Sequence, residues 1–180
     1  MRINKEQCAL VVIDIQEKLF PHINSHNEVA RKAAILIEGI QALKVPVVVT
    51  EQYVKGLGST IDMISDVIGD NEPIEKTSFS CCGEGLFNIK IEEHYKENII
   101  LCGIETHVCV LQTALDLKEA GHNPIVVVDA VGSRNNIDKE IALKRMETEG
   151  IRLTTVESIL FELCKISGTD TFKTISKLVK

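Results

Sequence analysis

The chain has no tryptophan, and its aromatic residues together make up only 4% of 180 positions. Its 44% hydrophobic content is rich instead in isoleucine, valine, leucine and alanine, the composition of buried parallel strands covered by helices. Cations are also in deficit, with 20 lysines and arginines against 26 aspartates and glutamates, a net charge of −6. Binding a phosphate backbone needs a local excess of cations, so nucleic acid is not an expected partner. No run of about 20 apolar residues is available to span a bilayer, so no membrane partner is expected. Residues 1–6 lack the apolar stretch and cleavage pattern of a signal peptide, which points to a cytoplasmic protein. The six cysteines contain no Cys-x-x-Cys pair and no zinc-type Cys/His spacing, so most are read as buried thiols. The adjacent Cys81 and Cys82 lack the further ligands a metal would need.

What is present is an alternation of strand and helix patterns. Cys8 to Ile15 is a nearly continuous apolar run with Asp14 near its end, as in a central parallel strand. Asn27 is placed to cap a helix through Leu43, and residues 47–50 (Val-Val-Val-Thr) form a second strand. Gln52 to Ser59, broken by Gly56 and Gly58, reads as an irregular loop, followed by a short amphipathic stretch from Thr60 to Gly69. Residues 74–77 read as a short strand ending near Lys76, with a helix around Leu86 to His94. Asn98 to Cys102 is a strand, Gly103 a turn, and Thr106 opens a helix that ends before Gly121. A strand over residues 125–129, a helix capped by Asp138, a last strand over 151–154 and two amphipathic helices complete the chain. The expected fold is α/β: one three-layer α/β/α domain over residues 1–180 with a mostly parallel, doubly wound sheet. Such sheets bind ligands at the carboxyl ends of their strands, where strand order reverses. Asp14, Lys76 and the segment from Gly103 to Cys109 all belong there.

Several chemistries are excluded by the residues themselves. There is no Gly-x-Ser-x-Gly elbow and no phosphate loop ending in Gly-Lys-Ser/Thr, and neither Gly-x-Gly pair is completed by a third glycine. A cysteine phosphatase needs arginine six positions after its nucleophile, where Cys109 has Leu115 and Cys102 has Val108. A phosphatase built on Asp14 would want a second acid at position 16, which is Gln16. What remains is Cys109 in the first turn of a helix after a strand. Free amides and the helix dipole there favour a thiolate and would hold a developing oxyanion. Asp14 and Lys76 are available as base and cation. His107 lies two residues from Cys109, a spacing that points the two side chains apart and disfavours a His–Cys dyad.

Three motifs make the chain resemble the isochorismatase-like cysteine hydrolases, a superfamily that includes nicotinamidases. They are Val11-Val12-Ile13-Asp14-Ile15-Gln16, Glu75-Lys76-Thr77-Ser78-Phe79, and the stretch from Gly103 to Val110 before Thr113-Ala114. Their order covers roughly Cys8 to Thr155, and Thr50 to Gly58 resembles the isochorismatase-domain-containing branch. The resemblance implies that fold, with Cys109 as nucleophile, Asp14 as general base, and Lys76 positioning both and lowering the thiol pKa. It implies a cis peptide at Ile104-Glu105 that turns the Glu105 and Cys109 amides toward one oxyanion. Nicotinamidases carry an Asp-x-His metal pair where this chain has Gln52 and Val54, so no metal and no other cofactor is expected. The expected reaction is hydrolysis of a C–N bond in a small molecule through a thioester. Cleavage of a vinyl ether and a catalytically inactive binding or scaffold role stay open as alternatives. Gln16, Phe20, Tyr53, Leu57, Phe79 and His107 are the expected pocket residues. Members of the family commonly form dimers or larger homo-oligomers, which is expected here too.

Overall fold

A computed structural model describes residues 2–94 and 97–180, and Met1, Tyr95 and Lys96 of the expected 1–180 domain lie outside the described residues. Six parallel strands form one sheet: β1 (Cys8–Ile13), β2 (Val47–Gln52), β3 (Ile74–Lys76), β4 (Asn98–Ile104), β5 (Asn123–Gly132) and β6 (Arg152–Thr154). The spatial order is β3-β2-β1-β4-β5-β6, which is the doubly wound arrangement expected. From β1 the chain first builds outward through β2 and β3, then returns to the other side of β1 with β4. The reversal therefore lies between β1 and β4, and a crevice opens at their carboxyl ends.

Every residue of β1 and β4 is buried, because helices cover both faces of the sheet. The two faces follow the strand period of two. Leu10 and Val12 enter one core, closed by α1 (His26–Ala42), α3 (Asp62–Ile68), α7 (Val156–Cys164) and α8 (Asp170–Leu178). Ala9, Val11 and Ile13 enter the other, closed by α4 (Gly85–His94), α5 (Leu111–Glu119) and α6 (Asn136–Thr148). Burying a leucine or isoleucine on either side contributes roughly 1.5–3 kcal/mol, so the two cores hold the sheet from both faces. Among the described residues no helix is long and apolar enough to cross a membrane.

Several boundaries differ from the sequence reading. The first helix begins at His26 after Ser25, whose backbone is left-handed (φ 54°) and whose side chain makes no capping bond. The loop read as irregular after β2 contains a short helix, α2 (Val54–Leu57). The last long helix of the sheet's second half begins at Asn136 after Asn135, so Asp138 lies inside its first turn rather than at its cap. The helix expected from Thr106 opens instead as one wide π turn, Thr106–Val110, which passes into α5 at Leu111. That widening follows from the Glu105 carbonyl, which accepts from both Val108 N–H (3.1 Å) and Val110 N–H (3.2 Å). Such turns recur at functional sites because they re-aim one side chain.

Candidate active site

Asp14 follows the last residue of β1 with a left-handed backbone (φ 53°), a conformation that aspartate adopts more readily than most residues. Its carboxylate is fully buried. Lys76, the last residue of β3, reaches it across the end of β2, with Nζ 2.7 Å from Asp14 Oδ2. The ammonium also donates to Gln52 Oε1 (2.7 Å) and to the carbonyls of Ser78 and Phe79 (both 3.1 Å). A buried ammonium is tolerated because oxygen acceptors surround it in this way. Thr50 Oγ1 donates to Asp14 Oδ1 at 2.8 Å, so both carboxylate oxygens are engaged.

Cys109 arrives from the other side of the crevice and lines the same small cavity as Asp14, whose carboxylate acts on its thiol. What brings it there is a close approach of β4 to β1. At Gly103 the backbone has φ 126°, and a Cβ would sit 2.0 Å from the Ile13 carbonyl oxygen, so only glycine fits. The ladder between β4 and β5 shifts register between Leu101 and Gly103, and the Ile104-Glu105 peptide that follows is cis. Asp14, Lys76 and Cys109, 62 and 33 residues apart in sequence, thus share one buried cluster.

The electrostatics of that cluster differ from the sequence reading. Burial is the larger cause that pushes the Cys109 thiol up, and the adjacent Asp14 carboxylate pushes it further. Lys76 pulls in the opposite direction and does not prevail. The resting side chain is therefore a thiol beside a carboxylate, and the helix-end amides do not make it a standing thiolate. Cys81 lies in the same neighbourhood, 3.7 Å from Thr50 Oγ1, and burial pushes its thiol up to about 12. Thr106 Oγ1, buried at the start of the π turn, has no hydrogen-bond partner among the described residues.

A cavity of about 90 Å³ opens onto the cluster, lined by Asp14, Leu19, Gln52, Leu57, Phe79, Glu105, Val108 and Cys109. Liquid water occupies about 30 Å³ per molecule, so the space suits the reacting end of a small molecule. Leu57, Phe79 and Glu105 from the sequence reading line it. Ile104 is buried in the core behind. Four expected pocket residues lie elsewhere. Gln16 is buried and ties two loops together, donating to the Gln52 and Gly58 carbonyls and accepting from Gln52 N–H at 2.7 Å. Phe20 packs beside the core, edge-on to His26 at 4.9 Å between ring centres. Tyr53 is half exposed outside the lining. His107 points away from Cys109, as its spacing indicates, with Nδ1 3.0 Å from Ser133 Oγ.

The sequence reading missed Leu19, Val108 and the roles of Thr50 and Gln52. Val108 adjoins Cys109 in sequence, and Thr50 and Gln52 lie at the carboxyl end of the second strand, which is a usable signal for a switch-point site. Glu105 is fixed by Arg134, whose backbone N–H and Nε both donate to its carboxylate at 2.9–3.2 Å.

Comparison with known proteins gives the same outline. The isochorismatase domain family matches residues 8–158. Isochorismatase family protein 1B of Dictyostelium discoideum is 40% identical over 99% of this chain and 89% of its own length. Mouse isochorismatase domain-containing protein 2A is 37% identical over 99% of this chain and 85% of its own. Among solved structures, MAR1 ribonuclease from Caenorhabditis elegans superposes with a TM-score of 0.93 at 42% identity, covering 99% and 92% of the two chains. The YcaC product of Escherichia coli, described as an octameric hydrolase of unknown specificity, shares the fold with a TM-score of 0.93 at 23% identity, covering 99% and 89%. The chain belongs to the isochorismatase family.

Proposed function

We propose that this protein is a cysteine hydrolase that cleaves the C–N bond of a small amide, with Cys109 as nucleophile, Asp14 as general base and Lys76 as the cation that holds Asp14 in place. The observation that carries the proposal is that Cys109 lines the same small cavity as Asp14, whose carboxylate Lys76 holds at 2.7 Å. Because the thiol is neutral at rest, Asp14 takes its proton as Sγ attacks the carbonyl carbon. The carbonyl oxygen becomes an oxyanion and is received by the Cys109 and Glu105 amides. The C–N bond then breaks as Asp14 gives the proton to the departing amine, leaving a thioester on Cys109. A water molecule gives a proton to Asp14 and attacks the thioester. Sγ leaves and recovers that proton, and a carboxylic acid is released.

Lys76 keeps Asp14 aligned between proton transfers. Glu105, whose carboxylate is held by Arg134, is part of the cavity wall. The apolar side chains of Leu19, Leu57, Phe79 and Val108 suit an uncharged substrate, and a 90 Å³ space beside the Asp14 carboxylate disfavours an RNA backbone despite the name of the nematode relative. Association into a dimer or larger assembly is part of the same reading, supported by the octameric state given for the Escherichia coli protein.

Screening wild type against a panel of small aliphatic and aromatic amides tests the reaction. Cys109→Ser and Asp14→Asn are expected to lose roughly 10³-fold or more of any turnover found. A thioester adduct should appear by intact mass in wild type and be absent in Cys109→Ser. Turnover that survives in Cys109→Ala would sink the proposal.

A further inference from the structure

We propose that Gln52 is a positioning residue for the reaction, its side-chain carbonyl holding the Lys76 ammonium in line with Asp14. The inference rests on the reading of Asp14 as general base and adds a residue that acts on it through Lys76. Gln52 ends β2 and Lys76 ends β3, and the two are register partners in the parallel pairing of these strands. Register partners project to the same side of a sheet, so both side chains leave the strand ends together. Gln52 Oε1 lies 2.7 Å from Lys76 Nζ, as short as the bond from Nζ to Asp14 Oδ2.

The protons of the ammonium rank its contacts. An ammonium has three N–H groups, and four oxygens lie within reach of this one, the Ser78 and Phe79 carbonyls at the longer distance of 3.1 Å. The two short bonds take one N–H each, which leaves the third for the two loop carbonyls. Gln52 is therefore the principal neutral acceptor, and among the described residues Asp14 is the one anion paired with Lys76. A neutral acceptor fixes the ammonium without competing with Asp14 for its charge.

Gln52 is itself firmly held. Its Nε2 donates to the Thr77 carbonyl at 2.8 Å. An ammonium only donates and a carbonyl only accepts, so the side-chain amide fits between Lys76 and Thr77 one way round. Its backbone N–H donates to Gln16 Oε1 at 2.7 Å and its carbonyl accepts from Gln16 Nε2 at 3.0 Å, with Gln16 fully buried. Lys76 thus leans on an anchored oxygen beside the cavity that Gln52, Asp14 and Cys109 line. Without that oxygen the ammonium keeps only the more distant loop carbonyls besides Asp14, and Asp14 loses the alignment that its proton transfers need.

The test uses the full chain with nitrogen-15 in its lysine side chains. A buried, hydrogen-bonded ammonium exchanges its protons slowly enough to give a magnetic resonance signal, which Lys76→Met assigns. Gln52→Met is expected to speed exchange at that signal by about tenfold or more, and in amide turnover to lower kcat by about tenfold or more with KM changed less than about twofold. Gln52→Glu keeps an oxygen for Lys76 but removes the donor to Thr77, so it should retain the protected signal. A residue that only fastens the Thr77 loop would give the same result in both variants. Should Gln52→Met fail to fold, judged by circular dichroism, Gln52→Asn, one methylene shorter, carries the same expectation. A wild type without a protected Lys76 signal, a signal unchanged in Gln52→Met or lost alike in Gln52→Met and Gln52→Glu, or a rise in KM with kcat unchanged would overturn the proposal. If wild type cleaves no amide, the hydrolase reading fails, and the ammonium signal by itself decides whether Gln52 holds Lys76.

Discussion

The buried pair of Lys76 and Asp14 makes a sharp demand on stability. Lys76→Met preserves the length and apolar stem of the side chain but removes the ammonium from four oxygen acceptors. Asp14 then keeps the Thr50 hydroxyl as a donor while remaining fully buried. Gln52 Oε1 and the carbonyls of Ser78 and Phe79 lose a donor as well. Breaking one partner of a buried pair costs about 3–5 kcal/mol, against a total stability of about 5–15 kcal/mol for an ordinary domain. For a chain of this length that is a fall of roughly 6–20 °C in Tm. Asp14→Asn leaves the ammonium with its three neutral acceptors and should cost less. The informative variant is Lys76→Met with Asp14→Asn, which leaves neither charge buried. Its loss should be smaller than the sum of the single losses by about 1–3 kcal/mol. Urea unfolding followed by far-ultraviolet circular dichroism at pH 7 measures all four proteins. Single losses below about 1 kcal/mol, or strict additivity, would refute the assignment of this pair as a coupled, desolvated unit.

Other outcomes follow from the same geometry. Because the Asp14 carboxylate helps to push the Cys109 thiol up, Asp14→Asn should speed iodoacetamide labelling of Cys109 at pH 8 while removing turnover, read by peptide mass mapping; slower labelling would contradict it. Burial pushes the Cys81 and Cys102 thiols up to about 12, above the ordinary value of about 8.5. A raised folded-state pKa means stability that is fully present below pH ~8.5 and is lost as pH rises toward the folded value. Each such thiol should lower stability by up to about 1.4 kcal/mol per pH unit in that window, and Cys102→Ala should remove one share of the slope in urea titrations between pH 8 and 10.5. Gly103→Ala places a Cβ against the Ile13 carbonyl and demands a backbone angle alanine avoids, so it should cost more than about 3 kcal/mol or prevent folding, judged by thermal melts. Gln16→Ala frees the loops that Gln16 joins and should cost about 1–3 kcal/mol, with less effect on Cys109 labelling than Asp14→Asn.

The order of strands and helices was legible in the chain itself, because both faces of a parallel sheet demand unbroken apolar runs such as Ala9 to Ile13. The polar residue ending such a run, Asp14 after β1 and Lys76 at the end of β3, also marked the crevice, since strand ends in open sheets meet at the switch point. Local pattern could not show how the π turn aims Cys109, because its width depends on one carbonyl serving two amides. Nor could it separate Leu57 and Phe79, which line the cavity, from Gln16, Phe20, Tyr53 and His107, which belong to nearby segments but point elsewhere. Side-chain direction in loops is set by contacts made across the fold, as when Gln16 bonds to Gln52 and Gly58 some 40 residues away. The balance of charge was likewise a tertiary matter. Sequence places a lysine and an aspartate near a cysteine, but only burial and distance decide that the carboxylate and desolvation outweigh the ammonium and leave Cys109 a thiol.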